Sequence, residues 1–272
     1  LLFIGYLIAL SWLLSRLDFF RRSGLSQTQL ILIYILKVAA GIFYGWLGIY
    51  YGKTANMTDT WFFHATGLQE QQLLLHDPGR FWSELFQDPY DQGRWKFLST
   101  ENSFWNDLKG NAMTKGLAIL DFLTGGYYMV NVLFYNFLGM AGIICYYRVL
   151  TDRYPTQKLA AGILVALIPS VLFWTSGIHK EGLLFTAIGM ILYAVYRSLK
   201  EKKWRAKRIT ILALGLLTIL VFRNHLLFSL IPAIILWILV EHLPYKPVYI
   251  ASLLYALFIG IFFISTYIDE RI

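Results

Sequence analysis

Apolar residues fall in long runs, and these runs constrain the chain more than any single motif. The longest, Ile209–Val240, is interrupted by charge only at Arg223-Asn224-His225. A membrane-spanning helix needs about 20 mostly apolar residues, within a range of about 17 to 25. Several further runs reach or approach that length. Over all 272 residues the chain is 57% hydrophobic and 15% charged, with mean hydropathy +0.55. Soluble domains carry about 25% charged residues, so there is too little charge here to cover a water-facing surface. An ordinary soluble domain, a disordered chain and a water-soluble nucleic-acid-binding domain are excluded. Membrane lipids, and not nucleic acid, are the expected surroundings.

The runs predict an all-α, polytopic integral membrane protein of about eight spans. They are Leu1–Leu14 (short), Leu30–Tyr51, Gly126–Val149, Leu159–Ser176, Gly182–Leu199, Ile209–Phe222, Leu226–Val240 and Val248–Ile268. Three regions follow: 1–51 with the first two spans, 52–125 as one large extracytoplasmic loop, and 126–272 as a transmembrane bundle. Cys145 is the single cysteine and lies inside an apolar run, so no intramolecular disulfide can form. The chain starts Leu-Leu and stops at Asp269-Glu270-Arg271-Ile272, just past an apolar run, which suggests a piece of a longer protein.

The net charge of +8 reads as topology. Arg16, Arg21 and Arg22 follow the first span; Arg148, Arg153 and Lys158 the third; Arg197 to Arg208 the fifth; and Lys246 the seventh. If each run crosses once, all four groups share a side, and lysine and arginine favour the cytoplasm. Lys37 then lies near the inner end of the second span, where it can snorkel to water. The outer side receives 52–125, with eight of the sixteen acids between Lys53 and Gly116, together with the turn Ser176–Glu181 and the break at Arg223–His225.

Within the outer loop, Trp61, Ala65 and Leu68 recur at helix spacing and predict a helix over Thr60–Leu75, with Asp59 or Thr58 at its N-cap. Asp77-Pro78-Gly79 stops it. A short amphipathic piece is expected at Arg80–Leu85, irregular chain over Asp88–Asn111, and an interfacial helix at Met113–Leu123.

Three polar groups stand out, because charge at membrane depth costs about 2.5 to 3.5 kcal/mol on insertion scales. Asp59 can serve as a general base, a metal ligand or a helix cap. His179-Lys180-Glu181 sets a proton-transfer group, a cation and an anion in one turn beside a helix start, which suits a phosphate. There Ser176 could equally cap the helix and Glu181 complement its positive end, while Pro169 can kink the preceding span. At Arg223-Asn224-His225 the flanking runs cover roughly 21 to 23 Å at about 1.5 Å per residue, short of the ~30 Å hydrocarbon core. Arg223 therefore lies below the headgroups, where it either grips a bound phosphate in bidentate fashion or snorkels to lipid phosphates. His64 and His225 are further candidate substrate contacts. No Gly-x-x-x-x-Gly-Lys, His-Glu-x-x-His or Gly-x-Ser-x-Gly pattern is present.

A spanning helix feeding a large outer loop with an acid near its start resembles the GT-C class of membrane glycosyltransferases, including the protein O-mannosyltransferase and aminoarabinose-transferase-like groups. The stretch Pro169-Ser170-Val171-Leu172-Phe173-Trp174-Thr175-Ser176-Gly177-Ile178-His179-Lys180-Glu181-Gly182 is similar to one in bacterial envelope-polysaccharide membrane proteins. The class puts its acid after the first span, often as a pair; here Leu1–Leu14 comes first and Asp59 has no acidic neighbour. The resemblance implies a GT-C-like fold in a bacterial inner membrane and a sugar donor on a polyprenyl phosphate. The acceptor would be a glycan, lipid or protein. Asp59, with His179 and Glu181, would be catalytic, and Asp59 would be the ligand if a divalent metal is used. Lys180, Arg223 and His179 would hold the phosphate. A polysaccharide polymerase or ligase acting on a lipid diphosphate, and a flippase of lipid-linked sugars, are the alternatives.

Overall fold

The computed structural model describes residues 1–55, 59–90, 92–98, 101–243 and 247–269. Thr58, Lys246, Glu270, Arg271 and Ile272 lie outside the described residues. Among those described, every regular element is helical. They are α1 (Leu2–Arg16), α2 (Asp18–Arg21), α3 (Gln27–Ala55), α4 (Asp59–His76), α5 (Pro78–Glu84), α6 (Phe104–Thr124), α7 (Tyr128–Arg153), α8 (Lys158–Ala166), α9 (Pro169–Trp174), α10 (Lys180–Lys200), α11 (Ala206–Arg223), α12 (Leu227–His242) and α13 (Pro247–Asp269). Four stretches are long and apolar enough to cross a membrane: Gln27–Gly52, Tyr128–Arg153, Lys180–Lys200 and Ala206–His242. Leu2–Arg16 and Val248–Gly260 are apolar but shorter.

α7 is the central helix. Tyr34 and Val38 of α3, Leu10 and Leu14 of α1 and Ala161 and Val165 of α8 bury against it. α3 runs antiparallel to α7: Gly45 faces Tyr128, whereas Lys37 faces Gly139 further along. α10 runs parallel to α7, with Gly142 against Thr186, Gly189 against Tyr146 and Asp152 bonded to Tyr196. Glycine at these crossings removes the side chain that would hold the backbones apart, a usual device where lipid supplies no hydrophobic drive between helices.

The run Ala206–His242 doubles back. Arg223 bonds to Glu181 at the start of α10, while the Trp237 ring lies tilted against Tyr196 near the end of α10. A single 3₁₀ turn, Asn224–Leu226, makes the reversal, and the Asn224 side-chain amide donates to the Phe97 carbonyl, tying the turn to the loop before α6.

The run read as a fourth span, Leu159–Ser176, is not one helix. It breaks into α8 and α9, of 9 and 6 residues. Pro169 has no N–H to donate and disfavours helical backbone in the residue before it; Ile168 is accordingly extended, at φ −61° and ψ 122°. The turn after α9 also lies deeper than a surface loop. The Asn136 side-chain amide donates to the Ser176 carbonyl at 2.9 Å, about 12 Å along α7 from Tyr128 at 1.5 Å per residue.

Lys37 does not snorkel. It is 1% exposed, and its ammonium donates to the Thr175 carbonyl at 3.2 Å, to Thr175 Oγ1 at 2.9 Å and to Ser176 Oγ at 2.9 Å.

In the loop region, α4 and α6 pack antiparallel. Gly67 admits Leu117, and Lys115, buried on α6, pairs with Glu70 at 2.6 Å and covers the Phe81 ring at 4.3 Å. The buried stripe of α4 is Thr60, Phe63, His64 and Gly67, rotated from the Trp61–Ala65–Leu68 line expected. α6 begins at Phe104, nine residues before the helix expected at Met113, and so takes in part of the stretch read as irregular.

Two glycines test this packing. Gly142→Leu drives a side chain into the Thr186 backbone and should cost about 1–3 kcal/mol by overpacking. Gly116 on α6 faces open space, so Gly116→Ala should be neutral or stabilise by up to about 1 kcal/mol. Thermal unfolding in detergent distinguishes the two; equal behaviour would contradict the α7–α10 crossing.

Candidate functional site

Three separate parts of the chain supply one contact series. Asp59 opens α4, and its Oδ2 lies 3.3 Å from His179 Nε2. The other ring nitrogen, Nδ1, abuts the Glu181 carboxylate. The second oxygen of Glu181 accepts from Arg223 Nη2 at 2.9 Å. The order is carboxylate, imidazole, carboxylate, guanidinium. Exposure divides the roles: the Asp59 side chain is 52% exposed and Arg223 37%, whereas His179 is 10% exposed. Reagents in water reach the two ends and not the imidazole.

The turn that carries His179 is held from below and from the side. Lys37 fixes Thr175 and Ser176. The Tyr135 hydroxyl donates to the His179 carbonyl. Gly177 lies on the Tyr44 ring, where any side chain would collide. His179 is itself the N-cap residue of α10, in extended conformation and with no side-chain capping bond. Ser176 is thus not the cap, because its hydroxyl is taken by Lys37. Glu181 does lie in the first turn of α10, but its carboxylate binds Arg223 and abuts the His179 ring.

Next to the series is a cavity of about 170 Å³. Lys109 from α6, Lys180 from α10, and Arg223, Asn224 and His225 from the reversal line it, with Trp105 on one wall. Asp59 is outside the lining but within electrostatic reach of Lys109. Burial holds the Lys109 ammonium below its usual pKa, with Arg223 pushing the same way and Asp59 opposing. His179 is also held below its ordinary value, first by burial; the Asp59 hydrogen bond opposes this and Lys180 adds to it. Burial thus favours the neutral imidazole, which carries one N–H; it serves Asp59 through Nε2, and Nδ1 makes no hydrogen bond among the described residues.

Of the residues singled out in the sequence, Asp59, His179, Glu181 and Arg223 meet directly, and Lys180 and His225 line the adjoining cavity. His64 does not join them. It is 8% exposed, edge-on to Tyr128 at 5.4 Å and to Trp61 at 5.8 Å, and turned toward Asp121. Five residues after Asp59 on a helix, it points away from that side chain. Lys109 belongs to the cavity, and no sequence motif marks it. Its signal is the i, i+4 spacing from Trp105, visible only once the helix is extended back to Phe104.

Among the described residues no three His, Cys, Asp or Glu side chains converge as metal ligands. Asp59 and Glu181 face opposite nitrogens of one ring, so this donor set does not fit a divalent ion. Comparison with protein-family models, with curated proteins and with solved structures finds no match to this chain.

Both His179 and His64 are held neutral by burial. Below pH ~6.5 the unfolded chain takes up these protons and the folded chain resists, so stability is lost on acidification. Unfolding temperature should fall between pH 7 and pH 5, each histidine contributing at most about 1.4 kcal/mol per pH unit. The double variant His64→Asn, His179→Asn should show a flatter profile; an unchanged slope would contradict burial of the two rings.

Proposed function

We propose that the chain is a membrane glycosyltransferase that moves a sugar from a polyprenyl-phosphate donor to a glycan, lipid or protein acceptor on the extracytoplasmic face of a bacterial inner membrane. In this reading the shorter apolar helices cross the bilayer too, and the basic end of the bundle faces the cytoplasm. The observation that supports it is the series Asp59–His179–Glu181–Arg223 ending in the wall of a cation-lined cavity.

Each group then has one task. The acceptor hydroxyl attacks the anomeric carbon while Asp59, the exposed carboxylate, takes its proton. The bond from the anomeric carbon to the phosphate oxygen breaks, and both its electrons leave with the lipid phosphate. Lys109, Lys180 and Arg223 stabilise the charge gathering on that phosphate, in a setting drier than water. The cavity is below the ~300 Å³ usual for a pocket that encloses a drug-sized ligand, so it takes the phosphate head while the polyprenyl chain stays in lipid. His179 and Glu181 position the two ends: the ring holds Asp59, and Glu181 holds Arg223.

Three cations around one cavity also suit a diphosphate leaving group. That favours, as a second reading, a polymerase or ligase using lipid-diphosphate-linked glycans. Transfer that prefers diphosphate over monophosphate donors would select it.

Asp59→Asn should lower transfer by about 10²–10⁴-fold, the usual worth of a general base. Lys180→Met and Arg223→Gln should weaken donor binding, seen as a raised KM. The assay is transfer from radiolabelled lipid-linked sugar in membranes carrying each variant at matched abundance. Wild-type rates in Asp59→Asn and Lys180→Met together would reject the site.

A further inference from the structure

At the end of the bundle opposite Asp59 and Arg223, two larger cavities join. One, about 480 Å³, is an apolar cleft between α3 and α8, walled by Leu32, Ile33 and Leu36 on one side and Leu159, Ile163 and Leu167 on the other. Leu32, Leu36, Leu159 and Ile163 are all exposed, so the cleft opens sideways at the protein surface. The other, about 670 Å³, is lined by Arg22, Arg148, Lys158 and Arg197. Gly24, Tyr147 and Lys158 belong to both, so the two form one continuous space.

The charges of the second space are unbalanced. Its one acid, Asp152, already accepts from Lys200 at 2.5 Å and from Tyr196 at 2.7 Å. Arg148 is held by the Phe19 carbonyl at 2.6 Å and lies between the Phe19 and Tyr193 rings, with no carboxylate in ion-pair range among the described residues. Lys158, at the seam, makes no ion pair among the described residues. Arg22 and Arg197 each share a carboxylate within their own segment. Two cations thus face the space without an acid, directly beside an apolar slot open to the side.

We propose that this is a binding site for an anionic phospholipid of the surrounding bilayer, distinct from the Asp59–Arg223 site. One acyl chain lies in the cleft between α3 and α8, and the phosphate sits between Arg148 and Lys158. A hydrocarbon chain matches the cleft and a phosphate matches the cations, and only a molecule carrying both at this spacing fills the two spaces together. Since the lipid touches α3, α7 and α8 at once, it braces the short, broken α8–α9 segment against the central helices.

The test is thermal unfolding of the purified full chain in neutral detergent, titrated with dioleoyl phosphatidylglycerol, dioleoyl phosphatidylcholine or inorganic phosphate. Lys158→Glu reverses an exposed charge at the seam. Gly162→Leu fills the cleft where a side chain would meet only the edge of Tyr147 at 3.8 Å, so both variants should fold. Lys207→Glu, an exposed lysine lining neither space, is the control. Phosphatidylglycerol should raise the unfolding temperature of the wild type and of Lys207→Glu. It should need at least tenfold more lipid to do so in Lys158→Glu and Gly162→Leu. Equal stabilisation by phosphatidylcholine or by inorganic phosphate would overturn the proposal. So would wild-type titrations in both test variants, or an equal loss in Lys207→Glu, which would mark diffuse surface charge and no defined site.

Discussion

An ammonium group buried among helices must find an acceptor for each of its protons, because leaving one unmet costs more than the bond would contribute. Lys37 imposes this condition on the whole bundle. Its three donors go to Thr175 and Ser176, and neither an intact helix nor a surface turn could offer that set at this depth. A backbone carbonyl and two hydroxyls are free here because α9 ends at Trp174. The end of α9 at Trp174 and the buried lysine are therefore one feature: the helix stops, and the lysine bonds the two residues that follow it. His179 and Glu181 follow directly, so their position depends on a contact made from the middle of a different helix.

That dependence explains what could be read from the sequence and what could not. Runs of apolar residues are local, and α3, α7, α10 and the doubled run Ala206–His242 all fall where such runs occur. The meeting of Asp59 with His179 and Arg223 was legible because the basic linkers sort loops between the two ends before any packing is known. The site's depth was not legible. Ser176–Glu181 reads as a surface turn because its length says so, and only the pairing of Lys37 with residues 138 positions away and further pulls it inward. Lys109 escaped notice for a related reason. Polar residues at the start of α6 imitate irregular chain, and the helix is decided by burial of Met113, Leu117 and Ala118 against α4. His64 misled in the other direction, since nearness in sequence to Asp59 said nothing about which face of α4 it shares.

The electrostatics of the site rest on unequal access to water. A neutral imidazole adds no charge of its own, yet its one N–H holds an oxygen of Asp59. Without it, Asp59 would be an exposed acid free to rotate. With it, the carboxylate keeps one oxygen on the ring and turns the other outward. At the far end Arg223 is held by Glu181 through a partly exposed pair, which on its own contributes little to stability. Its value is geometric: Glu181 holds the guanidinium at the wall of the cavity that Lys180 and Lys109 also line.

The two ends of the molecule treat phosphate differently, and the difference follows from the helices that build them. Near Asp59 the cations come from α6, α10 and the end of α11, and acids stand among them, so charge there is nearly balanced and an anion must be held by placement. At the opposite end Arg148 and Lys158 have no acid of their own among the described residues, and the space beside them is hydrocarbon-like. An anion there is held by net charge and by its tail. α10 connects the two, starting at His179 and ending beside Asp152, and α7 runs parallel to it over the same distance. α7 and α10 cross closely at Gly142 and Gly189, whereas the α8–α9 segment is broken at Pro169. α8 and the turn that carries His179 are joined through α9, with the extended Ile168 between the two short helices.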